Sequence, residues 1–121
     1  MKRKILVVED YKDTRDFMTF LIESYGYQVT EAADGLEAIE SLKSEFPDLI
    51  LMDMAMPVMD GITATKAIRK LKQGALIPII AVTAFGKRFY EKAIAAGCND
   101  LIEKPVNFDS LETVLNQYLN E

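Results

Sequence analysis

The sequence predicts an α/β protein built on a doubly wound, five-stranded parallel sheet with helices on both faces. Three observations lead there. Apolar, β-rich runs alternate with helix-period segments five times along the chain. Most of those runs are continuously apolar, as strands covered on both faces must be, rather than alternating. The length, 121 residues, suits one core and falls at about half of what an eightfold barrel needs. Connections between the segments leave no room for a linker, so the whole chain, 1–121, reads as one domain.

Each element has a local reason. Ile5-Leu6-Val7-Val8 is the first buried run. Asp13 is placed to cap a helix whose inward stripe is Phe17, Met18, Leu21, Ile22 and Tyr25, and Gly26 ends it. Gln28 to Glu31 is a short edge strand. Asp34-Gly35 opens the second helix, with Leu36, Ile39, Leu42 and Phe46 at three- and four-residue spacing. It stops before Pro47, because the residue preceding a proline is pushed out of the helical region. Leu49-Ile50-Leu51-Met52 is the second buried run and ends in Asp53. Asp60-Gly61 begins a third helix carrying Ile62, Thr65, Ile68 and Leu71, broken by the stretch from Gly74 to Pro78. Ile79-Ile80-Ala81-Val82 is the fourth strand. A less oily helix from Lys87 to Ala96, using Tyr90, Ala93 and Ile94, stops at Gly97. Leu101-Ile102-Glu103 is the last strand, and a helix from Asn107 to Leu119 packs Leu111, Val114, Leu115, Tyr118 and Leu119.

Composition removes several chemistries. The chain has no histidine and a single cysteine, Cys98. Ser-His-Asp and Cys-His catalysis, HExxH metalloprotease sites, cysteine- or histidine-based zinc sites and an intrachain disulfide are therefore excluded. Cys98 reads as a small packed residue. No apolar run approaches the ~20 residues a membrane helix needs. Met1-Lys2-Arg3-Lys4 runs straight into a strand pattern rather than a signal core, so a cytoplasmic location is expected and no membrane partner. Net charge is -5 and no basic stripe is evident along any helix, so no direct nucleic-acid partner is expected either.

Ligands of such sheets bind outside the carboxyl ends of the strands, where the strand order reverses. The first strand runs into Glu9-Asp10 and the third ends in Asp53. If the strand order is 2-1-3-4-5 these strands are neighbours, and three carboxylates converge. At ~4 Å each like-charged pair costs roughly 1–4 kcal/mol, which calls for a cation or a proton. An all-oxygen, partly hydrated site suits Mg²⁺. Thr83 and Lys104, at the ends of the fourth and fifth strands, add a hydroxyl and a cation able to meet phosphoryl oxygens. Taken singly, each of these residues is unremarkable: strand-end acids often cap helices, and Asp13, Asp34 and Asp60 read that way.

Glu9-Asp10, the segment Asp53-Met54-Ala55-Met56-Pro57-Val58-Met59-Asp60-Gly61, Thr83-Ala84 and Lys104-Pro105, in that order and spacing, resemble the receiver domains of two-component response regulators, specifically single-domain, chemotaxis-regulator-like members. The resemblance covers essentially the whole chain and implies a flavodoxin-like fold with strand order 2-1-3-4-5. It implies that Asp53 accepts a phosphoryl group from a sensor histidine kinase or a histidine phosphotransfer protein. It further implies that Asp10, Asp53 and the Ala55 carbonyl ligate Mg²⁺ with Glu9 acting through water, that Lys104 pairs with phosphoryl oxygens, and that Thr83 donates its hydroxyl to them. A cis bond at Lys104-Pro105 is part of the same pattern, as is a change of affinity for a downstream protein. The implied role is a switch rather than an enzyme.

Two other readings compete. A constitutive docking module that uses phosphate little is motivated by Leu101, where the family pattern has Tyr or Phe. A Mg²⁺-dependent hydrolase with an aspartyl nucleophile is disfavoured because Met54-Ala55 follows Asp53 in place of the DxD such enzymes show. An EF-hand over Asp10 to Asp16 fails at Lys12 and Arg15, which stand where a ligand and a glycine are needed, and no glycine-rich loop after the first strand invites flavin. Met52 and Met56 read as core, Met54 and Met59 as an adaptable docking rim. The resemblance implies that Phe85 to Tyr90 is the region that moves on phosphorylation and meets partners, with Tyr90 expected to be buried. Val106 and Phe108 are expected to help the first helix dock on a kinase.

Ala55 and Phe85, two residues beyond Asp53 and Thr83, offer no side chain to orient a hydrolytic water. Phosphoryl loss from Asp53 is therefore expected to be slow. One added hydrogen bond in Ala55→Asn should speed that loss by up to about tenfold, measured as phosphate-release kinetics; a variant no faster than wild type contradicts the reading.

Overall fold

A computed structural model describes residues 2–119. Met1, Asn120 and Glu121, which the one-domain reading of 1–121 includes, lie outside the described residues. The elements run β1 (Lys4–Val8), α1 (Lys12–Ser24), β2 (Gln28–Ala32), α2 (Gly35–Leu42), β3 (Leu49–Asp53), α3 (Gly61–Lys70), β4 (Ile79–Thr83), a 3₁₀ turn (Gly86–Phe89), α4 (Tyr90–Ala96), β5 (Asp100–Glu103) and α5 (Phe108–Leu119). All paired strands are parallel, in the order β2-β1-β3-β4-β5.

The continuous apolar runs divide by strand periodicity. Ile5, Val7, Leu49, Leu51, Ile80 and Val82 point to one face, where Met18, Leu21 and Ile22 of α1 and Leu111, Val114 and Leu115 of α5 cover them. Leu6, Val8, Ile50, Met52, Ile79 and Ala81 point to the other, under α2, α3 and α4. Every residue of β3 and β4 is buried. At roughly 1.5–3 kcal/mol for each fully buried large aliphatic side chain, these two strands are the most firmly seated part of the molecule. Their register sets Val8 beside Met52 and Asp53 beside Val82, so the carboxyl ends of β1, β3 and β4 finish level.

Asp34 and Asp60 cap α2 and α3, accepting the backbone N–H of Glu37 and of Thr63, each at 2.8 Å. Asp13 does not cap. α1 starts at Lys12 behind Tyr11, because the Tyr11 N–H is already bound to the Glu9 carboxylate at 3.0 Å, which turns the chain into the helix early and places Asp13 in its first turn.

Several expected core residues lie outside it. Phe17, Leu36, Leu71, Tyr90 and Ile94 are exposed. The inward stripe of α1 is narrow, and Phe17, about 100° from Met18 around the helix, falls off it. α4 presents the small side chains of Ala93 and Ala96 to the core, which draws the helix close and turns Tyr90 and Ile94 outward. The fourth helix also begins as a 3₁₀ turn at Gly86, whose φ of +64° is closed to regular helix. The Lys104-Pro105 bond is cis, and Cys98 is buried. Among the described residues no helix is long and apolar enough to cross a membrane.

Candidate functional site

Strand ends deliver the site. Glu9 and Asp10 follow β1, Asp53 closes β3, Thr83 closes β4 and Lys104 follows β5. Glu9, Asp53 and Thr83 are buried, whereas Asp10 and Ala55 are exposed. One carboxylate oxygen from each of Glu9, Asp10 and Asp53 lies within 4.8 Å of the others. The Lys104 ammonium reaches into the same point, 2.9 Å from Glu9 Oε1 and 3.3 Å from Asp53 Oδ2. Glu9, Asp10, Asp53 and Lys104 are thus brought together, and Thr83 closes the strand next to that of Asp53.

Backbone groups fix each side chain. Glu9 accepts the Tyr11 N–H on Oε2 at 3.0 Å, while the Arg15 guanidinium donates to the Glu9 carbonyl at 2.8 Å. Asp53 Oδ1 accepts the Ala55 N–H at 3.3 Å. Thr83 Oγ1 accepts the Phe85 N–H at 3.0 Å, which leaves the hydroxyl proton to donate. The helix behind the acceptor packs without clearance: a methyl group on Gly61 would stand 2.3 Å from the Asp53 carbonyl oxygen. In the intervening loop Val58 holds a φ of +67°, strain that a β-branched residue adopts only under constraint.

The charges do not balance. Three carboxyl groups face one ammonium. Glu9 Oε1 and Asp53 Oδ2 are buried with no hydrogen-bond donor among the described residues; Lys104 compensates their charge without the alignment of a hydrogen bond. Burial, and then the charge of Glu9, pushes the Asp53 carboxyl up to about 7, even though Lys104 and the Ala55 N–H pull the other way. Burial would lower the Lys104 ammonium, but its contact with Glu9 and the charge of Asp53 outweigh that and hold it above its ordinary value. Buried oxygens without donors, in an all-oxygen set, fit a hard divalent cation such as Mg²⁺. A cleft of about 510 Å³ opens beside them, lined by Asp10, Met54, Ala55, Met56, Pro57 and Phe85 among others.

Some neighbouring expectations change. Met54 is buried rather than part of a docking rim, and Met59 packs partly against the core. Val106 is buried, leaving Phe108 exposed and edge-on to Tyr25 at 5.0 Å between ring centroids. The part played by Arg15 carries no signal in the sequence, since its target is a backbone carbonyl.

A five-stranded parallel sheet of this order, with acids, a hydroxyl and a lysine at its carboxyl edge, has the architecture of a receiver domain. The chain belongs to the response regulator receiver domain family, whose model matches residues 5–116. It is 34% identical over 122 residues to the polar-differentiation response regulator DivK of Brucella ovis, covering 100% of this chain and 99% of that one. It is 42% identical to hybrid signal transduction histidine kinase G of Dictyostelium discoideum over 95% of this chain, but spans only 4% of that protein. Among solved structures, the receiver domain of sensor histidine kinase PA1611 from Pseudomonas aeruginosa, with a magnesium ion coordinated in its active-site cleft, superposes with a TM-score of 0.92 at 36% identity, covering 100% of both chains. The receiver domain of Ssk1 from Saccharomyces cerevisiae, solved with the histidine phosphotransfer protein Ypd1, superposes with a TM-score of 0.89 at 29% identity over 97% of this chain and 88% of that one.

The Asp53 shift has a sign that can be measured. With a folded-state value of about 7 against ~3.9 unfolded, the folded protein keeps a proton the unfolded chain releases. That stabilisation is complete below about pH 4 and is lost as pH rises through about 7. In chelator, wild-type melting temperature should fall across this window, and Asp53→Asn should remove the fall and melt higher than wild type at about pH 8. Parallel pH profiles for the two proteins would contradict the shift.

Proposed function

We propose that the chain, 1–121, is a phosphorylation-controlled signalling switch of a two-component system, with Asp53 as phospho-acceptor. The observation that carries this reading is the buried Asp53 oxygen that has no hydrogen-bond donor among the described residues, beside the Lys104 ammonium and the Glu9-Asp10 pair. In the transfer, an Asp53 carboxylate oxygen attacks phosphorus, the phosphorus–nitrogen bond of a phosphohistidine breaks, and the released imidazole takes up a proton. A loose transition state of this kind needs positioning and charge neutralisation more than covalent assistance.

Asp10, Asp53 and the Ala55 carbonyl would hold Mg²⁺, with Glu9 acting through water. The ion, when bound, neutralises charge on the phosphoryl oxygens and the acceptor. Lys104, already paired with Asp53, is placed to follow that charge onto the phosphoryl group. Thr83, with its hydroxyl proton uncommitted, is placed to donate to a phosphoryl oxygen and so to draw the β4–α4 connection toward the site. The donor is a sensor histidine kinase or a histidine phosphotransfer protein; the solved pairing of a similar receiver with Ypd1 supports this class. A change at the α4 face would then alter affinity for a downstream protein. The role is that of a switch, not of an enzyme with turnover, and the site of action is the cytoplasm.

One observation favours a second reading. Leu101 is half-buried and packs against the α2–α3–α4 side of the core, so no aromatic side chain there can move from an outward to an inward position. A receiver locked in one state would dock its partner with little regard to phosphate. Comparing partner binding with and without acyl phosphate separates the two.

Intact-mass measurement after treatment with acetyl phosphate and Mg²⁺ should show one phosphoryl adduct on wild type and none on Asp53→Ala. Chelation of Mg²⁺ should slow adduct formation by about a hundredfold. An adduct that persists in Asp53→Ala, or none on wild type, contradicts the assignment.

A further inference from the structure

Seven of the fourteen lysines and arginines lie between Gly61 and Cys98, against one acid, Glu91. This stretch carries a formal charge of +6 in a chain whose total is -5. On α3, Ala64, Thr65 and Ile68 are buried, which leaves Lys66 and Lys70, one turn apart, exposed to solvent, and Lys72 follows. Among the described residues none of these three lysines makes an ion pair. Arg69, between them, is engaged instead with the carbonyls of Gly97 at 2.9 Å, Gly74 at 2.8 Å and Ile77 at 2.6 Å, and so anchors the ridge to its surroundings.

Alongside runs a groove of about 430 Å³, lined by Ile39, Leu42, Phe46 and Leu71, with Lys72 and with Lys43, which is paired with Glu40 at 3.0 Å. Leu71 is exposed, and α2 and α3 pack against each other. Lys72 on the groove, with Lys66 and Lys70 exposed on the helix that leads to it, beside an apolar floor, asks for two things in one ligand: carboxylates and large apolar side chains. A nucleic acid supplies the first and not the second. We propose that the α2–α3 groove docks an acidic amphipathic segment of a partner protein, its leucine- or phenylalanine-like side chains on the floor and its carboxylates against Lys66, Lys70 and Lys72. The groove lies at the carboxyl end of α3, a helix of ten residues and hence ~15 Å long, whereas Asp53 adjoins its amino end. The docking surface is therefore independent of the phosphorylation reading.

The test is selection from a random library of roughly 15-residue peptides, long enough to form a helix on binding. Wild type serves as bait, and Lys66→Glu/Lys70→Glu/Lys72→Glu provides the counter-selection. Enriched peptides should carry Asp and Glu around apolar residues at three- and four-residue spacing, shift amide resonances in 39–46 and 66–73, and weaken with salt. Affinity should fall by about tenfold in the triple variant and in Leu71→Asp, each first shown to melt like wild type; the milder Lys66→Gln/Lys70→Gln should fall in the same direction. Asp53→Ala should bind as wild type does. No enrichment, enrichment without acidic residues, or shifts elsewhere would overturn the proposal. So would oleate or a single-stranded RNA occupying the groove that the selected peptide leaves untouched, or self-association of the protein through this face.

Discussion

Like-charged groups brought together by a rigid scaffold are the constraint on which this molecule turns. β1 and β3 are neighbours, their apolar runs are sealed on both faces, and their register brings Glu9, Asp10 and Asp53 together at the strand ends. Repulsion that solvent would dissipate at a surface is kept, because Glu9 and Asp53 are buried. A single ammonium, Lys104, offsets part of it. The remainder shows in the displaced titration of Asp53 and in the buried Glu9 and Asp53 oxygens that have no donor among the described residues. Such a site is preorganised for positive charge, and it is paid for by the burial of two fully covered strands.

Around this fixed point the surroundings differ in firmness. The acceptor strand is entirely buried and the helix behind it packs against its carbonyl. Across the cleft, the segment from Phe85 to Tyr90 is a 3₁₀ turn leading into a two-turn helix; Phe85 and Tyr90 face solvent, and Phe85 stacks at 6.2 Å on Phe89, which packs partly against the core. Few buried contacts and a short helix mark the low-stability end of a structure. A proposed switch that acts through Thr83 therefore meets rigid geometry on the acceptor side and compliance on the side that reports.

How much of this could be read beforehand follows from what each residue's behaviour depends on. Continuous apolar runs announce strands buried on both faces, and chemistry at the ends of such strands is placed by the sheet itself, so Glu9, Asp10, Asp53, Thr83 and Lys104 were legible as a set. Helix ends were less so. Asp13 looked like a cap, but the Glu9 side chain, fixed by tertiary structure, had already taken hold of the Tyr11 N–H. Phe17, Leu36 and Leu71 fit a helical period, yet the width of the buried stripe depends on what lies opposite. The ion pairs of Lys104 and the anchoring of Arg69 join segments far apart in sequence, where no spacing rule reaches.

Of all that follows from this account, the ion is the most direct point of attack. A crystal grown in MgCl₂ should show one octahedral ion at about 2.1 Å from carboxylate oxygens of Asp10 and Asp53 and from the Ala55 carbonyl oxygen, with waters completing the shell and one of them bridging to Glu9. Carboxyl groups that instead pair through a shared proton, with no ion between them at a pH where all are expected to be charged, would contradict it.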